Sequence, residues 1–287
     1  MDKKPILGVI GGSGLYDFPA LEKKKDFIVH TPFGDPSSPI IIGELSGKSV
    51  AFLARHGIGH IYTPSEVNYR ANIYALKSIG VDRIVSISAC GSLREDYSPG
   101  QIVIPDQIFD FTHKRQRSFF SEGVVVHVSA SDPFCPDLSN EVFQAVLNTG
   151  ATVHRSGTYI TIEGPRFSTK AESNLYREWG MSIIGMTACP EIFLAREAEI
   201  CYSTMAHVTD YDVWHMSEEP VTVEMVVKVL MANTEIAQKA IANLVTKLPQ
   251  KRICDCKIAL KDAVLTHRDL LPKDSKGKLD LLLGKYL

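Results

Sequence analysis

The chain has 287 residues, and its 31 Lys and Arg nearly balance 33 Asp and Glu, for a formal net charge of −2. With 45% apolar and 22% charged residues it has the profile of a globular protein able to bury a core, which excludes a disordered chain. Near-neutrality also excludes a protein that grips nucleic acid along its whole surface, because no cationic excess exists to neutralise a run of phosphates.

A local cluster of cations around one small anion stays open. No run approaches the roughly 18 consecutive apolar residues of a membrane helix. The start, Met1-Asp2-Lys3-Lys4 followed by a short apolar stretch broken at Gly11 and Gly12, is too short for a secretory signal, so a cytoplasmic chain is expected. At about 150 residues per domain, the length allows two domains or one large α/β unit.

Short β-branched runs alternate with helical stretches, which predicts an α/β fold. Residues 7–10 read as a strand running into Gly11-Gly12-Ser13-Gly14, a turn whose backbone amides can approach an anion. Asp17 stands where a third glycine would complete the dinucleotide pattern G-x-G-x-x-G, so that reading fails. Residues 40–42 and 50–53 read as a hairpin around Ser46-Gly47. The segment 43–49 is one residue short of a P-loop and leads into a strand rather than a helix, so it is no phosphate cradle.

Ala54-Arg55-His56-Gly57 puts two cationic side-chain types directly after a buried strand, which suits an oxyanion clamp. His56 and His60 have i, i+4 spacing, but the glycines between them and the missing Glu argue against a metal helix. Thr63-Pro64-Ser65-Glu66 carries the signature of a helix start, with apolar residues from Val67 to Ile79 at helical spacing and Gly80 as the stop. A buried strand is predicted over 81–88. Further helices are predicted over 136–147, 169–179, 190–199 and 223–248, with strands over 182–186 and 200–208.

The loop 161–167 can present Phe167 as a stacking face, with Arg166 as an organising ion pair; a turn with a buried Phe is the alternative. Thr209-Asp210-Tyr211-Asp212 follows an apolar strand. Two carboxylates there can hold separate pKa values and serve as acid and acceptor, but they share a face only if the strand is still extended. A helix cap or an Asx turn is the alternative. Strand ends meet glycines or helix starts at 11–14, 89–92, 185–187 and 209–212. Ligands collect at the carboxyl ends of strands in open α/β sheets, so these ends point to one shared site.

Of the six cysteines, Cys90, Cys135, Cys189 and Cys201 lie in apolar or strand-like surroundings and read as buried thiols. Cys254-Asp255-Cys256 stands apart as a redox pair, a metal site or two unrelated thiols. Two cysteines without further close ligands do not make a zinc site.

Several segments occur together in one order: 11–15, 31–34, 54–57, 64–72, 89–93, 161–167, Met186-Thr187 with Pro190-Glu191, and 209–214. In this the chain resembles the trimeric purine nucleoside phosphorylase family over residues 6 to about 245, and within it the members that act on 5′-methylthioadenosine. The resemblance implies a single α/β domain over 1–250 with a central mixed, partly barrel-like sheet flanked by helices. It also implies a tail over 251–287 that closes the active site. The implied reaction is attack of inorganic phosphate on the anomeric carbon of 5′-methylthioadenosine, giving adenine and 5-methylthioribose 1-phosphate in purine and methionine salvage. Phosphate is then a co-substrate, and neither metal nor organic cofactor is implied.

Carried over residue by residue, Ser13, Arg55, His56, Thr187 and the backbone amide of Ala89 hold phosphate. Asp210 donates to adenine N7 and Asp212 accepts from the exocyclic amine. Phe167 stacks near the base and Met186 meets the ribose hydroxyls. Val223, Val226 and Val227 share a helix face and line a pocket for the methylthio group. His127 comes from a neighbouring subunit of a homotrimer or a dimer of trimers. The alternative is a broader purine nucleoside phosphorylase acting on adenosine or inosine; members that take 6-oxopurines carry Asn at the position of Asp210, so the acidic pair favours 6-aminopurines. Gly185 stands where some relatives have Asn, and some relatives with a similar tail carry stabilising disulfides.

Overall fold

The first strand is buried at all of its residues, as a parallel strand covered on both faces must be. The structure, a computed structural model, describes residues 4–12, 18–215 and 222–287. In chain order the elements are β1 (Leu7–Gly11), β2 (Glu22–Phe27), β3 (Ile40–Leu45), β4 (Lys48–Ala54), α1 (Tyr69–Ser78), β5 (Arg83–Ser92), β6 (Ile102–Ile104), β7 (Gln107–Phe111) and α2 (Pro136–Leu147). They continue with β8 (Val153–Arg155), β9 (Thr158–Ile162), α3 (Lys170–Glu178), β10 (Ile183–Gly185), α4 (Ala188–Glu197), β11 (Cys201–Asp210), α5 (Val223–Lys247) and α6 (Lys273–Leu283).

The strands form one mixed sheet of 11 strands, ordered β2-β3-β4-β1-β5-β10-β9-β7, with β11, β6 and β8 branching from β5. The mixed sheet flanked by helices is the expected one, but it stays open rather than closing into a barrel. Its centre is parallel: β4 pairs with β1, β1 with β5, and β5 with β11, in register at Leu53–Ile10, Ile10–Ser86 and Ser86–Thr204. The carboxyl ends of these strands therefore reach one edge together. There β5 runs on to pair antiparallel with β10, Gly91 opposite Ile184.

One face of the sheet is covered by α2 and α5, whose Leu138, Val142, Ile241 and Leu244 pack with Val85 and Met205. On the other side α1 and α4 contribute Ile73, Leu76, Ile192 and Leu194, and the tail adds Leu260, Leu279 and Leu282 to the same cluster. Among the described residues no helix is long and apolar enough to cross a membrane.

Local signals held where they were complete. Ser46 and Gly47, at φ 52° and 74°, make the two-residue turn that a right-twisted hairpin prefers. Thr169 caps α3 in a full capping box with Glu172, and Pro136 opens α2. The helix read from Thr63 instead begins at Tyr69, because Asn68 supplies the cap by accepting from the Ala71 N–H at 3.1 Å. Thr63 and Glu66 still exchange their hydrogen bonds, at 2.9 and 3.0 Å, but as an isolated turn. β2 escaped notice because its sequence, Glu-Lys-Lys-Lys-Asp-Phe, is an exposed edge whose lysines keep other chains from pairing with it.

Candidate active site

A cavity of about 520 Å³ lies at the carboxyl ends of the central strands. Gly12 enters it after β1, Arg55 and His56 after β4, and Thr187 from the start of α4. Across from them stand Asp210 and Asp212, with Ala89, Cys90 and Gly91 of β5 between. All four strand ends singled out in the sequence thus contribute to one site.

Arg55 turns inward beneath the cavity. Its Nε and one Nη donate to the Glu191 carboxylate at 2.8 and 3.0 Å, and the same Nη donates to the Ser86 hydroxyl at 2.7 Å. The other Nη donates to the Ile87 carbonyl at 3.2 Å. Burial opposes the charge, yet Glu191 more than restores it, and the guanidinium stays ionised with its pKa above the ordinary value. The fork that could embrace a second carboxylate or phosphate is occupied by Glu191, so Arg55 gives the cavity the positive end of a near-neutral ion pair and not a free cation.

The His56 ring stacks on His60 at 4.3 Å, and its Nδ1 lies 2.9 Å from the Tyr62 carbonyl. That carbonyl only accepts, so Nδ1 carries the proton and Nε2 is left as an acceptor. Burial, helped by the neighbouring Arg55 charge, lowers the His56 pKa to about 4, so His56 is neutral near pH 7 and not the second cation of the clamp expected from sequence. Thr187 precedes α4, whose regular helix starts only at Pro190, because Cys189 is extended at φ −101° and ψ 139°.

At the opposite end β11 stops at Asp210, and Asp212 adopts φ 52°. The two carboxylates therefore do not share the face of an extended strand. Asp210 instead closes an Asx turn, one oxygen accepting from the Asp212 N–H at 2.7 Å and the other from the Thr209 hydroxyl at 2.6 Å. Burial raises the Asp210 pKa to about 6 and raises that of Asp212 as well. β5 passes so close that a Cβ on Gly91 would stand 2.9 Å from an Asp210 oxygen and 3.2 Å from the Asp212 Cβ. Only glycine leaves room there.

A sequence profile described as the phosphorylase superfamily matches residues 6–248. The chain belongs to that superfamily. It is 50% identical over 283 residues to the S-methyl-5′-thioadenosine phosphorylase of Geobacter sulfurreducens, covering 98% of this chain and 99% of the relative. The corresponding protein of Chloroflexus aurantiacus is 53% identical over 281 residues, with 98% of each chain covered. Among solved structures, a methylthioadenosine phosphorylase from an Antarctic soil metagenomic library superposes with a TM-score of 0.91 at 46% identity, over 98% of this chain and 100% of that one. The Schistosoma mansoni methylthioadenosine phosphorylase in complex with adenine superposes with a TM-score of 0.86 at 36% identity, over 93% and 100%.

In this phosphorylase Phe167, Met186, Val223 and Val227 also line the cavity. Arg166 makes the organising pair, its two Nη atoms 2.6 and 2.7 Å from Glu172, and so fixes the loop to the capped start of α3. His127 is exposed, away from this cavity; its N–H donates to the Ala263 carbonyl at 2.9 Å. Ser13 and the side chain of Val226 lie outside the described residues. Beyond Cys256 the tail packs on the α1 and α4 side, and none of the described lining residues comes from it.

Three residues were missed from sequence. Arg115, buried after β7, donates to the carbonyls of Met186 and Cys189, both at 2.6 Å, and of Glu163 at 2.7 Å. It thereby ties the β10–α4 connection to the Phe167 loop, although His-Lys-Arg-Gln-Arg around it reads as a solvated charge run. His207 and Asn233 line the cavity too. Neither His207 ring nitrogen nor the Asn233 amide nitrogen has a hydrogen-bond partner among the described residues, and burial lowers the His207 pKa to about 4. A His inside an apolar strand carries no signal of the cavity it faces.

Gly185 has a packing cause. A Cβ there would collide with the hydroxyl of Tyr159, a fully buried residue on the neighbouring β9. Gly185→Ala is expected to cost about 1–3 kcal/mol in denaturant unfolding, with part of it recovered in the Gly185→Ala/Tyr159→Phe pair. An equal loss with and without the Tyr159 change would point to a cause other than this clash.

Proposed function

We infer that this phosphorylase transfers the 5-methylthioribosyl group of 5′-methylthioadenosine to inorganic phosphate, releasing adenine. The observation that carries this reading is one cavity with a buried Arg55–Glu191 pair at one end and a protonatable carboxyl pair at the other. A phosphate oxygen forms the new bond to the anomeric carbon as the bond to adenine N9 breaks. The weak nucleophile is held by Arg55, Thr187 and Ser13, by the Ala89 amide, and by His56, whose Nε2 accepts from a phosphate hydroxyl, in the orientation that attack requires. Its negative charge also stabilises the oxocarbenium character developing on the sugar.

Asp210 gives its proton to N7, so that adenine leaves neutral, and Asp212 accepts from the exocyclic amine. A pKa of about 6 suits a group that must both hold and release a proton near neutrality. Phe167 stacks near the base, Met186 meets the ribose hydroxyls, and Val223, Val226 and Val227 take the methylthio group. A 5′-hydroxyl against that apolar wall loses its hydrogen bonds, which ranks methylthioadenosine above adenosine and inosine. These steps use phosphate as the second substrate and call on no organic cofactor or cavity metal. In this reading the chain works in the cytoplasm, in purine and methionine salvage, as a homotrimer or a dimer of trimers in which the exposed His127 reaches a neighbour's cavity.

The test is adenine release from methylthioadenosine with and without phosphate. Release is expected to stop when phosphate is withheld. Equal rates in both conditions would mean hydrolysis and overturn the assignment.

A further inference from the structure

Read in sequence, Cys254 and Cys256 lack further ligands; the fold brings two more. Cys135 is the N-cap residue of α2, Cys201 opens β11, and Cys254 and Cys256 flank Asp255 at the start of the 3₁₀ turn Asp255–Ile258. The sulfurs of all four lie within 4.8 Å of one another, with Cys201 and Cys254 3.2 Å apart. Three of the residues are buried and the fourth is half-buried, and all are free thiols.

The four sulfurs form one compact group rather than two separate pairs. A cation about 2.3 Å from each of four sulfurs sets them about 3.8 Å apart, within the spread seen here. Cationic donors face the sulfurs. An Nη of Arg252 lies 3.6 Å from the Cys201 sulfur and an Nη of Arg196 lies 3.6 Å from the Cys256 sulfur. Cys135 sits at the positive end of α2. Four thiolates around a dication carry a net charge of −2, which the two guanidiniums offset. Donors aimed at ligand sulfurs are what a metal–thiolate site requires of its surroundings.

We propose that Cys135, Cys201, Cys254 and Cys256 bind a thiophilic divalent cation, zinc foremost, as a structural site. Four thiol protons pass to solvent as four metal–sulfur bonds form, and no oxidant is consumed. A closed shell of four sulfurs leaves no position for a substrate, and none of the four residues lines the catalytic cavity. The site staples the start of the tail to α2 and β11. From there the chain runs on to Leu260, Leu279 and Leu282, which complete the core over α1 and α4.

The full-length protein, purified anaerobically with reductant from zinc-supplemented medium, is expected to contain one zinc per chain. A mercurial reagent should release that zinc as the thiols react. Cobalt(II) added to the demetallated protein should give the intense visible bands of a tetrahedral thiolate site, and Cys256→Ser should lose bound zinc and melt at a lower temperature. If that variant does not fold, the cobalt titration of the unaltered chain decides alone. Fully reduced protein that takes up neither zinc nor cobalt overturns the proposal, as do disulfides among these four cysteines that re-form in preference to metal uptake.

Discussion

Asp210→Asn is expected to lower kcat/KM for methylthioadenosine by about 10²–10⁴-fold, the usual worth of a positioned general acid. Asn retains an oxygen for the Asp212 N–H and offers a donor toward the base, but it has no proton to give. The alkaline limb that the Asp210 carboxyl imposes on the pH profile, governed by a pKa of about 6, should disappear with it. Inosine, whose 6-oxo base suits Asn, should lose much less; a uniform loss on both nucleosides would remove Asp210 from base recognition.

Stability should move the opposite way. The Asp210 pKa in the folded chain lies above its unfolded value near 4, so the stability linked to its proton is full below pH 4 and is lost as pH rises through 6. Above that, the native state carries a buried charge that Asn lacks. Asp210→Asn should therefore be more stable than the parent at pH 8, by on the order of 2–3 kcal/mol, with little difference at pH 4. Urea unfolding at the two pH values reads this directly, and the opposite pH ordering would refute the burial account.

The second large effect belongs to Arg55. Arg55→Met strands the Glu191 carboxylate, fully buried, with the Tyr202 hydroxyl at 2.8 Å and no countercharge. Breaking a buried pair from one side costs about 3–5 kcal/mol, much of it the penalty on the partner left behind. Arg55→Met/Glu191→Leu should recover most of that stability, because an apolar pair avoids the stranded charge. If Arg55 also supplies the field that holds phosphate, KM for phosphate stays raised in the double variant while its unfolding midpoint returns. Recovery of both would mean that Arg55 serves the fold alone.

Those two residues mark where sequence patterning reached and where it stopped. The start of α3 at Thr169 and the Ser46-Gly47 turn were legible because each closes its own hydrogen bonds within about four residues, and Pro136 because its fixed φ and missing N–H suit a first helical position. The alignment of four strand ends was legible for a similar reason, since each end is a local event and parallel strands bring such events to one edge. Thr63-Pro64-Ser65-Glu66 misled because the same local bonds form without a helix behind them, once Asn68 offers a competing cap. β6 and β8, at three residues each, are too short to display a period.

The chemistry-bearing residues could thus be named from the linear chain, but the direction in which each one acts could not. Arg55 meets Glu191 across 136 positions, and that encounter decides that its fork faces inward. Asp212 reaches the cavity through a left-handed turn that the Asp210 side chain stabilises. Cys254 and Cys256 look two ligands short until β11 and the start of α2 deliver Cys201 and Cys135. The reason is one of range. Periodicity and capping are interactions between near neighbours, whereas ion pairs, sulfur clusters and cavities are made by segments that touch only after the sheet has set its order.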